Sequence, residues 1–172
     1  NVDVLTLADI KALQGGYTNG KKIMSGKDTI KNSYSTDSAY SVCVVDVSGY
    51  RKVRWPSVPG TNLVGSAFAD EQGNVLKSIV VPTLGNRFEA GMYLICDVPE
   101  GATALYFSIL NTAEFDKVVL SNSEKIEDME PEWFANDEHL CAVVGSSVVG
   151  SKLRSAITGN STTGSMSWTD FH

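Results

Sequence analysis

Hydrophobic and polar residues alternate in short runs along the first two thirds of this chain. The clearest run is "TALYFSIL", residues 103–110, where every second residue is a large apolar one. Successive side chains of a β-strand point to opposite faces, so this alternation predicts a strand with one face in a core. The predicted core side consists of Leu105, Phe107 and Ile109, and the predicted outer side of Ala104, Tyr106, Ser108 and Leu110.

Seven such segments recur between turn signals rich in Gly, Pro, Asn and Asp. "VSGY", "DEQGN", "VPTLGN" and "VPEGA" separate them, and "NG" at Asn19-Gly20 predicts a further turn. Only residues 1–14 have a helical pattern, and it is weak. Many short strands without a long amphipathic helix predict an all-β fold, an antiparallel sandwich or a barrel. The predicted strands are Ala39–Val47, Tyr50–Trp55, Leu63–Ala69, Val75–Val81, Phe88–Val98, Thr103–Leu110 and Phe115–Leu120.

After Leu120 the pattern changes. Residues 124–138 hold seven acidic residues and one lysine, with Pro131 interrupting any helix, which predicts a linker or domain edge. Beyond it, Leu140–Val144 and Leu153–Thr158 could pair as a hairpin. We therefore predict an N-terminal segment (1–15), a β-sandwich (16–122) and an extended appendage (123–172) that leads to a further domain. We expect the chain to be part of a longer polypeptide.

Composition and charge exclude several classes of protein. The 172 residues are 42% hydrophobic and 20% charged, which is typical of a globular domain. The net charge of −6 argues against a nucleic-acid-binding surface. The one basic cluster, Lys21, Lys22, Lys27 and Lys31, is interpreted as a solvated face. No apolar run reaches about 20 residues, so we predict no membrane insertion.

The three cysteines do not form a recognisable metal or redox motif. Cys43 and Cys96 share the strand parity of apolar neighbours, so we interpret them as small core residues with reduced thiols. A Cys43–Cys96 bridge between adjacent strands is the alternative. A zinc site is not expected, because there is no CxxC pair and only two histidines are present.

No residue pattern for catalysis is present, so we expect neither enzymatic activity nor a cofactor. The acidic residues that could serve a glycosidase lie at turns or strand ends, where solvated charges are the simpler interpretation. His139 lies in the acidic linker, without a G-x-S-x-G elbow. "GSSVVGSK" departs from the phosphate-loop motif. The acidic residues considered are Asp70, Glu71, Glu114 and Asp116.

Aromatic residues are the candidate ligand contacts. Sugars stack their C–H faces on exposed rings while their hydroxyls hydrogen-bond to polar neighbours. The candidates are Tyr34, Tyr40, Tyr50 and Trp55. Tyr34, in the polar stretch "KNSYSTDS", is the one we most expect to be exposed, whereas Trp55 shares the parity of Val53 and is compatible with the core.

Several of these segments together resemble a known family. They are the corner "DVSGY" (46–50) before the strand that ends at Trp55, "GSAFADEQGN" (65–74), "VPEGATALYFSILN" (98–111) and "EFDKVVL" (114–120). This order resembles the jelly-roll, carbohydrate-binding-module-like domains of bacteriophage tail and receptor-binding proteins. Related domains occur in surface proteins of gut Bacteroides-type bacteria. The resemblance covers about Gly16 to Leu120. It departs at two positions: in such domains an arginine often lies near the position of Tyr106, and a tyrosine is frequent at the position of Ala69.

The resemblance implies a jelly-roll β-sandwich that acts as a non-catalytic recognition module and binds host carbohydrate. The alternative is a structural or assembly module that contacts other tail or surface protein chains. The implied location is the virion tail or, alternatively, the bacterial cell surface, with a homo-oligomer in the full-length protein. Virions assemble in a reducing cytoplasm, which agrees with the prediction of three free thiols.

Overall fold

The computed structural model describes residues 2–24, 26–56, 64–80, 93–112, 115, 117–123 and 141–144, and for Val80 and residues 141–144 it describes the backbone. Ten strands and two short helices lie within these ranges. In chain order they are β1 (Val2–Leu5), α1 (Leu7–Ala12), β2 (Tyr17–Ile23), α2 (Ile30–Ser33), β3 (Tyr34–Asp46), β4 (Lys52–Pro56), β5 (Gly65–Ala69), β6 (Val75–Val80), β7 (Tyr93–Asp97), β8 (Ala104–Leu110), β9 (Val118–Ser121) and β10 (Cys141–Val144).

The strands form two five-stranded sheets. Sheet A has the order β1-β9-β4-β7-β10, and sheet B has the order β2-β3-β8-β5-β6. Every pairing between the described strands is antiparallel. The prediction of an all-β, antiparallel fold is therefore confirmed.

The main core contains residues from both sheets. Leu105 and Phe107 of β8 are fully buried and Ile109 is 3% exposed, which confirms the predicted inner face of this strand. From sheet A, Trp55 contributes the largest side chain, and its ring meets Phe68 of sheet B edge to face, with 5.8 Å between centroids. Burial of these rings stabilises the fold, at about 25 cal/mol per Å² of apolar surface removed from water.

Each of the seven predicted strands has a counterpart, with different ends. β3 begins at Tyr34, five residues before the predicted start, because its first residues pair with the end of β2. β7 begins at Tyr93, and the earlier part of the predicted Phe88–Val98 strand lies outside the described residues. The predicted turn at Asn19-Gly20 is wrong, because both residues lie inside β2.

The N-terminal segment differs from the helical prediction. A helix covers only Leu7–Ala12, and it begins with a capping box in which the side chains of Thr6 and Asp9 each accept the other's backbone N–H. Residues Val2–Leu5 form β1 and pair with β9, so this segment contributes a strand to sheet A. The alternation of Val2, Asp3 and Val4 is too short to reveal this in the sequence.

At the other end, Cys141–Val144 forms a strand, as predicted, but its described partner is β7. The predicted partner, Leu153–Thr158, and the acidic stretch 124–138 lie outside the described residues. The position of β10 places the backbone of Cys141 directly opposite that of Cys96.

The cysteine predictions need correction. Cys43 is a free thiol in the core, and burial raises its pKa to about 12. Cys96 is also fully buried but is disulfide-bonded. The reduced-thiol interpretation is therefore wrong for Cys96, and the alternative Cys43–Cys96 bridge is wrong as well. Strand parity placed both side chains correctly in the core, but it carries no information about which cysteine is bonded.

Candidate ligand-binding surface

A second apolar cluster lies on the face of sheet B that points away from the main core. Val42 of β3 and Ala67 and Ala69 of β5 form its floor, and all three are buried. Ile23 and Ile30, which flank the connection from β2 to α2, pack against this floor. The chain around these two residues therefore folds over the outer face of sheet B.

Hydrogen bonds fix this covering segment to the sheet. The backbone N–H of Ile23 donates to Ser108 Oγ at 2.8 Å, and that hydroxyl donates to the carbonyl of Gly65 at 3.2 Å. Farther along, the N–H of Ile30 donates to the carbonyl of Gly73 at 2.8 Å. The hydroxyl of Thr29 caps α2 by accepting from Asn32 N–H. Tyr34 follows directly after α2, so its position is set by these anchors.

An irregularity in the β2–β3 pair turns the end of β2 toward the outer face, where Ile23 pairs with Tyr34. Asn19 pairs with Ser41, but the next pair is Lys21 with Thr36, so extra residues bulge from β3. Gly20 lies at this point with φ of 80°, a conformation that residues with a Cβ rarely adopt. A bulge re-aims the side chains beyond it.

Tyr34 forms an aromatic pair with Tyr106 of β8 on this outer face. The ring centroids are 6.4 Å apart and the planes are at 84°, an edge-to-face contact. Both residues are half-buried, with Val44 and Val75 beside them in the same cluster. Within the part of the chain that the structure describes, neither phenol hydroxyl has a hydrogen-bond partner.

Both phenols are neutral at physiological pH. Burial, with a smaller contribution from neighbouring Tyr106, raises the pKa of Tyr34 to about 12. Burial also raises the pKa of Tyr106. Each hydroxyl can therefore donate and accept hydrogen bonds, while the rings offer apolar surface.

The other three predicted ligand contacts do not join this pair. Trp55 is fully buried and its Nε1–H donates to Ser66 Oγ at 2.8 Å, so the indole is a core residue and not part of an accessible surface. Tyr50 lies in the turn between β3 and β4, where its hydroxyl donates to the Asp3 carboxylate. That hydrogen bond is the main cause of the raised pKa of Tyr50.

Tyr40 packs partly on the main core, and the Lys22 ammonium lies 5.6 Å from its ring centroid. It belongs to the β2 edge of the sandwich, where Lys22 also forms an ion pair with Asp37. Of the four predicted residues, only Tyr34 therefore lies on the outer aromatic surface.

Tyr106 is the main residue that sequence reasoning did not select. Its signal was present, because the alternation of β8 places Tyr106 on the side away from the core. The pattern could not supply its neighbour, since Tyr34 and Tyr106 are far apart in sequence and come together through the pairing of β3 with β8.

The acidic residues considered for metal binding or catalysis were the other candidates for a site. No group of three or more metal-binding side chains occurs among them. The Asp70 carboxylate is used locally, accepting from the N–H groups of Gln72 and Asn74 in the β5–β6 turn. Glu114, Asp116 and His139 lie outside the described residues. In the same part of the chain, no helix has the length and apolarity to cross a membrane.

Comparison with known proteins does not assign this chain to a group. No protein-family model matches it, and no curated protein or solved structure shows significant similarity. The case for a function therefore rests on the fold and on the outer surface of sheet B.

Proposed function

We propose that this domain is a non-catalytic, jelly-roll recognition module that binds carbohydrate through the Tyr34–Tyr106 pair. The observation that carries the proposal is this pair of half-buried phenols with unengaged hydroxyls on the outer face of sheet B. Its rings would stack on the C–H faces of a sugar, and its neutral hydroxyls would hydrogen-bond to sugar hydroxyls.

The strand order supports the jelly-roll part of the proposal. A jelly roll has eight strands, B to I, arranged as sheets B-I-D-G and C-H-E-F. Taking β1 as B and β3 to β9 as C to I gives β1-β9-β4-β7 and β3-β8-β5-β6, which are the observed neighbours in the two sheets. On this assignment β2 and β10 are additional edge strands.

The disulfide is relevant to where the parent protein is located. We propose a phage tail protein or a bacterial surface protein as the parent, and the bonded state of Cys96 favours the bacterial surface. Disulfides form and persist in oxidising compartments outside the cytoplasm, whereas phage tails assemble inside it.

The test is glycan binding by the whole 172-residue chain, alone and displayed in several copies on streptavidin. A shallow site buries little surface and must desolvate sugar hydroxyls, so we expect monovalent binding to be weak. Display in several copies raises the effective concentration, and binding should become measurable on a glycan array. Tyr34→Leu and Tyr106→Leu, which keep apolar bulk and remove the aromatic faces, should each abolish most of that signal.

Trp55→Phe and Tyr50→Phe are the matched controls, because they alter aromatic residues that lie elsewhere. Both should bind as the wild type does, and circular dichroism should show that all four variants fold. If the displayed chain binds no glycan, the recognition proposal fails and the assembly role, with other protein chains as partners, replaces it. If glycans bind but Tyr34→Leu and Tyr106→Leu are without effect, the site assignment fails.

A further inference from the structure

Four of the 14 basic residues of this acidic chain lie in the segment that leads into Tyr34. Between Gly20 and Thr36 there are four lysines and one acidic residue, Asp28, in a chain whose net charge is −6. This interval includes the end of β2, the segment over the outer face of sheet B and α2. The sequence alone indicated only a solvated face.

Lys21 lies on the same face as the aromatic pair. Lys21 pairs with Thr36, and two residues along the strands Ile23 pairs with Tyr34. Residues two apart in a strand share a face and are about 6.6 Å apart, so Lys21 and Tyr34 point to the same side. The Lys21 ammonium donates to Thr36 Oγ1 at 2.8 Å, which fixes it two residues along β3 from Tyr34.

Within the described ranges, Lys21 has no carboxylate partner, whereas Lys22 has one. Lys22 pairs with Asp37 at 3.0 Å on the opposite face of the strand. Lys31 is exposed in the last turn of α2, three residues before Tyr34, and it too has no acidic partner there. The nearby acid, Asp28, accepts from the side-chain amide of Asn32 at 3.3 Å.

We infer that the ligand of the Tyr34–Tyr106 surface is an anionic glycan, with its carboxylate or sulfate bound by Lys21. The inference rests on the proposed function and specifies its ligand class. A hydrogen bond between an ammonium and a carboxylate or sulfate is about twice as strong as one between neutral groups. The stacking surface would hold the sugar ring, and the adjacent ammonium would select rings that carry a negative charge.

The experiment compares acidic glycans with their neutral counterparts, using the whole chain displayed in several copies. The acidic probes are polygalacturonate, hyaluronan and heparin. The neutral counterpart of each is its carboxyl-reduced form, and for heparin this form is also desulfated. At 50 mM NaCl at least one acidic glycan should bind about tenfold more tightly than its neutral form. Raising the salt to 0.5 M should remove most of this preference, since exposed charges are screened.

Lys21→Gln should lower the affinity for the acidic glycan about three- to tenfold and leave that for the neutral form unchanged. The matched control is Lys11→Gln, because Lys11 lies over the Tyr17 ring at 4.9 Å and away from Tyr34. This variant removes the same charge and should retain full binding.

The outcomes separate the two proposals. If neutral and acidic forms bind equally and Lys21→Gln has no effect, the anionic-ligand inference is overturned while the proposed glycan binding stands. If no glycan of either kind binds, both are overturned. If polyphosphate binds as well as the acidic glycans and Tyr34→Leu changes nothing, the surface recognises charge alone, and the inference of an anionic sugar is again wrong.

Discussion

At the residue scale, alternation in the sequence predicted which side chains face the core. The structure then showed which aromatic side chains are accessible to a ligand. Trp55 and Tyr34 were candidates of the same chemical kind. The hydrogen bond from Trp55 to buried Ser66 satisfies the indole inside the core, whereas Tyr34 keeps its hydroxyl free on the outer face. Buried polar groups in proteins are normally hydrogen-bonded. The indole N–H of Trp55 meets this requirement inside the core, so Trp55 is a structural residue.

Phe107→Ala should lower the free energy of unfolding by about 3–5 kcal/mol, because it removes a fully buried ring and leaves a cavity. The ring also contacts Phe115 edge to face, with 6.2 Å between centroids. Urea denaturation followed by tryptophan fluorescence measures the change. Leu76→Ala is the control, since Leu76 is 41% exposed and its truncation should cost less than about 0.5 kcal/mol. A loss below about 1 kcal/mol for Phe107→Ala would contradict the assigned core.

At the element scale, turn chemistry holds neighbouring strands in register. The β5–β6 hairpin closes through Asp70, whose carboxylate accepts the N–H groups of Gln72 and Asn74 at 3.0 and 2.8 Å. The β7–β8 connection closes with the N–H of Ala102 donating to Pro99, and Gly101 has φ of 86°. Both turns were predicted from short sequence signals, because their geometry depends on adjacent residues.

Asp70→Ala should lower stability at pH 7, and the difference from the wild type should shrink as the pH falls below about 4. Hydrogen bonds, first of all from the Asn74 backbone, lower the pKa of Asp70 in the folded state. The stabilisation is therefore fully present above the unfolded-state pKa and is lost as pH falls through the lower folded-state value. Denaturation midpoints at pH 7 and pH 3 measure it, with Glu71→Ala as the exposed neighbouring control. An equal difference at both pH values would contradict this role.

At the scale of the whole molecule, the pairing of distant segments decides the architecture. β1 joins β9 and β10 joins β7, so the first and the last described strands complete sheet A. The paired residues of β1 and β9, from Val2 with Ser121 to Leu5 with Val118, are more than a hundred positions apart. No local pattern reports such contacts, which is why the sequence pointed to a weak helix at one end and an external hairpin at the other.

The cysteines give a test at this scale. The chain has three, Cys43 is free and Cys96 is disulfide-bonded, so the denatured, unreduced protein should react with one equivalent of a thiol reagent. After reduction it should react with three. Cys43→Ser is the matched variant, and its unreduced form should react with none. Three reactive thiols before reduction would contradict the disulfide and remove its argument for a bacterial surface location.

The sequence by itself determined the all-β class, the approximate position of seven strands, the inner face of β8 and the turn at Gly101. Each of these follows from periodicity two or from turn residues, which act over a few positions. The tertiary structure alone decided that Tyr34 meets Tyr106 and that Lys21 lies on the same face. The physical reason is that these positions depend on the bulge between β2 and β3 and on the order of strands in two sheets, which bring together residues that local patterns cannot relate.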